Sequence, residues 1–328
     1  MELRQFKYFV AVVDSGSVSR AAQTLFIAQS ALSKQISDLE HELDAQLLDR
    51  TRSGVRVTET GKIFYDYSLA IIKQIDDLRT AVKSSEAHIV GDVVLAIPQS
   101  VTNALALPLN VASRALLSGI HLHLNEELTG NLIDQLQQGR VDLALFTDNV
   151  SLKGMRCHRL ATEELFLIRA AGFALPADGA ALSLETVLAL PLVLSGNEHN
   201  HCLRAIVETA AAGQRLQINH VAAEINSVHI LKSAVLAGIG CTIFPKAIVR
   251  HELAEGSLVA HRIGIDGLFR TLVLCASKSI PLTNPKRAVA QLITDVIGQL
   301  CASGDWPGAV AIAHQVGSTL LEDSGEPA

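Results

Sequence analysis

Apolar side chains recur at intervals of three and four residues in several segments near the start of the chain. Residues 2–14 carry one such series and predict a first helix. Residues 18–25 carry a second, with Ser17 in position to cap its N-terminus. A third series follows a corner at residues 26–28 and comprises Ala31, Leu32, Ile36, Leu39 and Leu43. The pattern predicts three short helices that share one apolar core.

The third predicted helix is polar where it begins. Its outward residues there are Gln29, Ser30, Ser33 and Lys34. Such short or flexible donors and acceptors suit the base edges of a DNA major groove and the flanking phosphates. Two small helices that meet at a tight turn, the second with a polar leading edge, predict a helix-turn-helix at about residues 18–37.

Residues 47–58 predict two short strands that meet at Ser53–Gly54 as a β-hairpin. Three arginines project from this hairpin, within reach of phosphates or of a minor groove, namely Arg50, Arg52 and Arg56. A helical hairpin followed by a solvated turn is the alternative interpretation. The hairpin and the long helix after it favour a winged helix-turn-helix that binds double-stranded DNA.

The longest helical pattern covers about residues 59–86. Its apolar positions follow one another at steps of three and four, namely Phe64, Tyr67, Ile71, Ile75, Leu78 and Val82. Charged residues flank this seam, as in a coiled coil. Such a helix on a small domain has a face with no partner of its own, so the pattern predicts pairing with a second copy of the chain. Packing against the chain's own C-terminal part is the alternative.

A set of residues at fixed spacing runs through the first 60 positions. The set comprises Ala21, Ala22, Leu25, Gln29, Ala31, Leu32, Ser33, Lys34, Gln35, Ile36, Leu39, Glu40, Leu43, Leu47, Leu48, Arg50, Thr51, Val55, Thr58, Glu59 and Gly61. It resembles the N-terminal signature of LysR-type transcriptional regulators, and residues 42–48 and 61–65 look most like the nitrogen assimilation control protein branch. Ser30 replaces a usual proline, Asp44 a usual glycine and Leu48 a usual phenylalanine; the last two fit that branch. The resemblance implies that helix 28–43 reads bases and that helix 59–86 joins subunits.

From Gly91 onward the pattern changes to short apolar strands that alternate with helices. This alternation predicts an α/β fold with parallel strands. Two such groups are expected, joined by crossing strands at residues 164–170 and 268–277. Two α/β lobes joined in this way resemble the periplasmic-binding-protein architecture of the family's effector domain.

The predicted domain organisation has four parts. A winged helix-turn-helix covers residues 1–58, and a linker and dimerisation helix covers residues 59–88. A regulatory domain of two lobes covers residues 89–303, and residues 304–328 are expected to be a largely disordered tail. A short helix within 309–321 is an alternative for part of that tail.

Ligands of such sheets bind where strands end and helices begin. Hydroxyl and amide side chains at those ends are Ser100, Thr102, Thr129, Asn131, Asn197 and Ser227. These groups at helix N-termini suit a small, anionic molecule. Matching positions line the inducer cleft of LysR-type proteins. Helix capping is the alternative role for each of these residues. No arginine falls on the predicted rim, which disfavours a dicarboxylate and leaves a ligand-independent regulator as an open alternative.

Metal binding, catalysis and membrane insertion find little support in the sequence. His199 and His201 would point in opposite directions on one helix, and His121 and His123 form too small a ligand set, so neither a metal nor another cofactor is expected. Nucleophile-elbow and phosphate-loop motifs are missing, which argues against an enzyme. Five scattered cysteines and no apolar run of the roughly 20 residues that span a membrane predict a cytoplasmic protein without membrane contact.

Charge sharpens the picture of the DNA-binding module. Although the formal net charge is −6, arginines concentrate on the hairpin and acidic residues lie late in the third helix. The predicted function is a dimeric or tetrameric sequence-specific regulator, with DNA, a second copy of the chain, a small-molecule effector and RNA polymerase as expected partners. The competing class is a small-molecule-binding protein whose N-terminal module serves protein contacts.

Overall fold

The computed structural model describes residues 1–51, 54–83, 89–127, 129–147, 151–175, 181–196, 202–264 and 268–313. The chain forms two compact units, one of residues 1–84 with 138–140 and one of the remaining residues. Within the described ranges no helix is long and apolar enough to cross a membrane.

The N-terminal unit is the predicted winged helix-turn-helix followed by a long helix. Its elements are α1 (Leu3–Ser15), α2 (Val18–Thr24), α3 (Gln29–Glu42), β1 (Leu48–Thr51), β2 (Gly54–Val57) and α4 (Glu59–Lys83). Its core is built from the predicted inward positions, chiefly Phe9, Val12, Ala21, Ala22, Leu32, Ile36, Leu39 and Leu47. Ser17 caps α2 by accepting a hydrogen bond from the Arg20 backbone N–H.

The hairpin of β1 and β2 is fixed to the helices by backbone and carboxylate contacts. The Glu40 side chain accepts hydrogen bonds from the backbone N–H groups of Leu47 and Leu48, at 2.8 and 3.0 Å. Only a residue without a Cβ fits at Gly61, because a Cβ there would lie 1.9 Å from the Leu47 carbonyl oxygen. The start of α4 is therefore pressed directly against the chain that enters the wing.

The second unit contains two α/β lobes. In chain order its elements are β3 (Gly91–Pro98), α5 (Gln99–Leu116), β4 (Ile120–Glu127), α6 (Thr129–Gln137), β5 (Leu143–Thr147), β6 (Met155–Glu164), β7 (Phe166–Ala170), β8 (Ala181–Leu182), α7 (Leu184–Leu188), β9 (Leu192–Leu194), α8 (Cys202–Gly213), β10 (Val221–Glu224), α9 (Val228–Leu236), β11 (Thr242–Phe244), α10 (Arg250–Glu255), β12 (Leu258–Ile263), β13 (Phe269–Ser277), α11 (Asn284–Ser303) and β14 (Ala309–Ala311).

The first lobe is built on a six-stranded mixed sheet with the order β14-β6-β13-β5-β3-β4. Strands β4, β3 and β5 run parallel, as the alternating pattern predicts, whereas β13 runs antiparallel to both β5 and β6. Helices α5 and α11 cover this sheet with an apolar core that includes Leu105, Leu109 and Ile293. The sheet thus brings the C-terminal end of β3 and the start of α5 to one edge.

The second lobe contains a four-stranded sheet with the order β11-β7-β12-β8 and a parallel pair of β9 and β10. The chain passes between the lobes twice, and the Leu165 backbone N–H donates to the Leu268 carbonyl at 3.0 Å where the two passages meet. The predicted crossing strands are therefore corrected: β7 and β13 each lie within one sheet, and the crossings are the short connections before them.

The predicted tail begins too early. Trp306 is only 1% exposed and its Nε1 donates to the Glu163 carboxylate at 2.7 Å. Residues 309–311 then pair antiparallel with β6 as an edge strand, rather than forming a helix. The prediction of disorder is thus wrong for residues 304–313. Burial of a large aromatic ring and pairing with the free edge of β6 both hold this segment in place. Residues 314–328 lie outside the described ranges.

Candidate functional site

The leading half of α3 forms an exposed polar surface. Gln29, Ser30 and Lys34 are exposed and Ser33 is half-buried, while Leu32 and Ile36 anchor the opposite side of the helix in the core. The N-cap residue is an alanine that supplies no side-chain cap, and the first turn carries no acidic residue. Backbone N–H groups and the positive end of the helix dipole are therefore free to meet an anion such as a phosphate.

Two acidic residues of α3, Glu40 and Glu42, lie at the end of the helix far from this polar surface. Glu40 is used internally, on the backbone N–H groups that open the wing. Glu42, at the last position of the helix, lies next to the chain's own N-terminal ammonium group. The N-terminal module has no net positive charge, so DNA binding requires that its acidic groups lie apart from the DNA-binding surface. The positions of Glu40 and Glu42 agree with this requirement.

The wing presents an exposed arginine. Arg56 is exposed on β2, where it pairs in register with Asp49. The Val55 backbone N–H donates to the Gly16 carbonyl at 3.0 Å, which holds the wing against the corner between α1 and α2. Arg50 lies on β1, although its side chain is outside the described part, and Arg52 lies outside it altogether.

Phe26 was missed by the sequence analysis. It occupies the corner between α2 and α3, has a left-handed backbone conformation with φ of 56°, and is 94% exposed. An aromatic residue that is this exposed is unusual beside a polar surface. The signal available in the sequence was a large apolar residue at a corner that the helical pattern leaves without a partner.

The seam of α4 divides into an inner and an outer part. Phe64 stacks on Phe6 with ring centroids 5.4 Å apart and meets Phe9 edge-on at 5.0 Å, so it belongs to the core of the N-terminal unit. The outer positions Tyr67, Leu78 and Val82 are exposed, as is Ile63, and Ile71 and Ile75 are half-buried. Assignment of Phe64 to an intersubunit seam is therefore corrected, because its ring is already occupied.

A cavity of about 70 Å³ lies between the two lobes of the second unit. Its polar lining residues are Gln99, Ser100, Glu127, Thr147, Ser195, Arg204, Asn226 and Thr242. Apolar lining comes largely from the second lobe and includes Leu203, Val207, Leu231 and Phe244. A mixed lining with a few convergent polar groups is typical of small-molecule sites.

Of the six predicted effector residues, Ser100 lines this cavity. Thr102, Asn131 and Ser227 are not part of its lining. The Thr102 hydroxyl donates to the Pro98 carbonyl, and Ser227 caps α9 by accepting from the Ile230 backbone N–H. Ser227 thus has the helix-capping role that the sequence left open, whereas Thr102 makes a local bond to the carbonyl four residues before it. Asn197 and the Thr129 side chain lie outside the described part.

Two arginines approach the cavity, contrary to the prediction of none on its rim. Arg204 lines it, and its guanidinium donates to Glu224 at 2.6 Å and to Glu208 at 2.8 Å. Burial alone would lower the pKa of Arg204, but these two carboxylates raise it above its ordinary value. The second arginine, Arg270, is fully buried and forms an ion pair with Glu163. Both arginines are therefore already paired with carboxylates of the chain.

Arg270 connects the cavity to the C-terminal segment. Its Nη1 donates to the Ser100 hydroxyl at 2.6 Å, and its Nη2 donates to the Ser100 carbonyl at 3.1 Å. The partner carboxylate of Glu163 accepts from Arg270 and from Trp306. A buried network of charge-assisted hydrogen bonds therefore runs from the cavity wall to residue 306.

The structure describes only part of the candidate metal ligands. His199 and His201 lie outside the described ranges. His123 instead lies 3.3 Å from Asp92 on an exposed strand face. In the described part of the chain, no three His, Cys, Asp or Glu side chains are arranged to hold a metal ion.

Two family models match the chain. Residues 3–62 match the model described as bacterial regulatory helix-turn-helix protein, lysR family, and residues 86–298 match the model described as LysR substrate binding domain. Nitrogen assimilation regulatory protein nac of Klebsiella aerogenes is 31% identical over 91% of this chain and 96% of its own length. The protein of the same name from Escherichia coli is 30% identical over 90% of this chain and 95% of its own length.

Solved structures with the same fold include full-length regulators. A full-length OxyR variant from Pseudomonas aeruginosa has a TM-score of 0.67 and 20% identity, covering 90% of this chain and 97% of that one. Full-length CbnR in complex with its target DNA has a TM-score of 0.66 and 19% identity, covering 91% and 99%. At these identities the likeness concerns the fold.

Proposed function

The chain belongs to the LysR family of DNA-binding transcriptional regulators, and from that premise we propose which surfaces carry each part of its function. The leading half of α3 reads base edges through Gln29, Ser30, Ser33 and Lys34. The wing contacts phosphates through Arg56, together with Arg50 and Arg52. The observation that carries this assignment is the uncapped, exposed and polar start of α3 on a helix whose other side is fixed in the core.

Phe26 adds an apolar contact to this surface. Its exposed ring stands at the corner directly before α3, where the remaining exposed residues are polar. Thymine is the only base that presents a methyl group in the major groove. We assign Phe26 a contact with a thymine methyl or with the apolar edge of a deoxyribose.

The α4 helix joins two copies of the chain. Exposed Tyr67, Leu78 and Val82 support this assignment, because their apolar surface has no cover within the N-terminal unit. Pairing of two modules doubles the number of phosphate and base contacts per assembly. It thereby compensates for a module without net positive charge.

The cavity between the lobes holds a small-molecule effector, and its occupation changes the relative population of two arrangements of the regulator on DNA. The lining by groups from both lobes supports this role, since a ligand there contacts both. The nac relatives carry nitrogen assimilation in their names, which supports nitrogen metabolism as the regulated process. Contact with RNA polymerase is part of the same proposal for an activator.

Fluorescence anisotropy with the DNA directly upstream of this gene tests the function. Binding to that DNA and to a shuffled sequence of the same composition is compared at about 50 and 200 mM salt. With 6–10 phosphate contacts, affinity should fall by roughly 10³–10⁵ between the two conditions. The upstream DNA should bind more tightly than the shuffled one. A chain with no salt-dependent affinity for either DNA would contradict the proposal and favour a protein-contact role for the module.

A further inference from the structure

Glu127 places a negative charge on the wall of the cavity. It is the last residue of β4, and it pairs in register with Pro98, the last residue of β3. Neighbouring strands are about 5 Å apart, so Glu127 lies beside the point where α5 begins. Its only hydrogen-bond partner in the described part of the chain is Asn131, at 3.5 Å.

Among the described residues of the cavity wall, no cation is available to neutralise Glu127. Arg204 is shared by two carboxylates, and Arg270 is paired with Glu163. The described wall therefore has an excess of negative charge, which disfavours a purely anionic ligand.

The start of α5, which lies beside Glu127, favours a negatively charged ligand group. Pro98 cannot cap this 18-residue helix with its side chain, and the first turn carries no acidic residue. The amide oxygen of Gln99 accepts from the Val228 backbone N–H at 3.3 Å and is thus occupied. The first-turn N–H groups of α5 consequently suit a carboxylate, which helix N-termini bind readily.

Thr242 contributes a hydroxyl group to the wall of the cavity. It lies on β11, is 1% exposed and lines the cavity. Its hydroxyl is thus placed where it can donate to, or accept from, a polar group of a ligand in the cavity.

We propose that the effector is a small zwitterion of the amino-acid type, an inference that rests on the proposed regulator function. Its ammonium group pairs with Glu127, its carboxylate accepts from the N–H groups at the start of α5, and one of its polar groups meets the Thr242 hydroxyl. A carboxylate and an ammonium attached to the same carbon match a negative side chain placed next to a positive helix end. The modest cavity volume selects a ligand with few heavy atoms.

A matched set of nine ligands tests this inference on the full-length chain by isothermal titration. Three zwitterions (glycine, L-alanine and L-serine) are compared with the carboxylates that lack the ammonium group (acetate, propionate and 3-hydroxypropionate). The third group lacks the carboxylate instead (methylamine, ethylamine and ethanolamine). At least one zwitterion should bind, and its two partial analogues should each bind at least about tenfold more weakly, the loss of one charge-assisted hydrogen bond.

Two variants locate the binding. Glu127→Gln should weaken binding of the zwitterion at least about tenfold, whereas Glu126→Gln, the same change on the neighbouring exposed residue, should leave it unchanged. Thr242→Val should also weaken it. A carboxylate that binds as tightly as its zwitterion, unchanged affinity in Glu127→Gln, or no binding by any of the nine at roughly 20 mM would overturn the inference. DNA affinity measured on the same preparations tells these outcomes apart from failure of the regulator function.

Discussion

Removal of residues 304–328 should destabilise the regulatory domain substantially. The segment carries Trp306, whose ring packs into the first-lobe core near Leu160 and Ile293 and is almost completely buried. It also carries β14, which covers the edge of β6. A chain that ends at Ser303 therefore exposes an apolar core and a strand edge at once.

The magnitude follows from these contacts. Loss of a buried tryptophan side chain costs about 3–5 kcal/mol in cores of this kind. Glu163 additionally loses the indole N–H that it accepts at 2.7 Å, a hydrogen bond to a charged group worth about 1.5–3 kcal/mol. Because Arg270 remains on the same carboxylate and the two ranges partly overlap, we expect about 4 kcal/mol, slightly less than the lower ends of both ranges together. For a domain of this size each kcal/mol lowers the melting temperature by about 2–4 °C.

Thermal unfolding followed by far-ultraviolet circular dichroism measures the effect, since the variant lacks the only tryptophan of the chain. The chain that ends at Ser303 should melt roughly 8–16 °C below the full chain. A chain that ends at Ala313 is the matched control and should have the same melting temperature as the full chain. Trp306→Phe should fall between the two. Equal melting of the Ser303 and Ala313 truncations would refute the structural role assigned to the segment.

Three further predictions concern other parts of the chain. Lys286→Ala should destabilise the second unit by about 3–5 kcal/mol, because it removes the ammonium group that lies 2.8 Å from the buried Asp142 carboxylate. Denaturant unfolding measures this loss. Adding Asp142→Asn to the variant should restore part of the free energy of unfolding. Gly61→Ala should destabilise the N-terminal unit by at least about 1–3 kcal/mol through its backbone clash, whereas Gly298→Ala, with open space around its Cβ position, should be neutral or stabilising in the same assay. Iodoacetamide near pH 8 should modify Cys157 before the buried cysteines, because its side chain is exposed and a hydrogen bond with the Cys275 thiol lowers its pKa. Peptide mass spectrometry measures the order of modification, and earlier modification of a buried cysteine would contradict this prediction.

Local periodicity predicted the N-terminal unit closely. The observed α1 begins one residue after its predicted start, and α3 covers Gln29–Glu42 against a predicted 28–43. This was possible because each helix there has one continuous apolar stripe, and turn and cap residues separate the helices. The role of Phe64 could not be predicted in the same way. The spacing that suits an intersubunit seam also suits packing on α1, and only the fold distinguishes the two.

The regulatory domain was predicted in class but less well in detail. Strands β6 and β12 were missed because they carry several charged or polar residues and sit beside other strands that supply their apolar cover. The cavity lining was predicted only at Ser100. Sequence can identify where strands end, but it does not reveal that Arg270, 170 positions away, would hold that serine, or that Thr242 would line the same cavity.

The most direct measurement of the central claim is DNA affinity of the Ser30→Glu variant. Ser30 is exposed in the first turn of α3, where a carboxylate interacts favourably with the helix dipole and should stabilise the helix by about 0.3–1 kcal/mol. The same carboxylate faces phosphates and base edges if this helix binds DNA. Ser118→Glu introduces an equal charge at an exposed turn between α5 and β4 and serves as the control.

Anisotropy with the DNA directly upstream of this gene should show at least about a tenfold loss of affinity for Ser30→Glu, with unchanged or higher thermal stability of the module. Ser118→Glu should bind as the unmodified chain does. If Ser30→Glu instead binds this DNA with unchanged affinity and salt dependence, the leading half of α3 does not contact DNA, and the assignment of the DNA-binding surface is wrong.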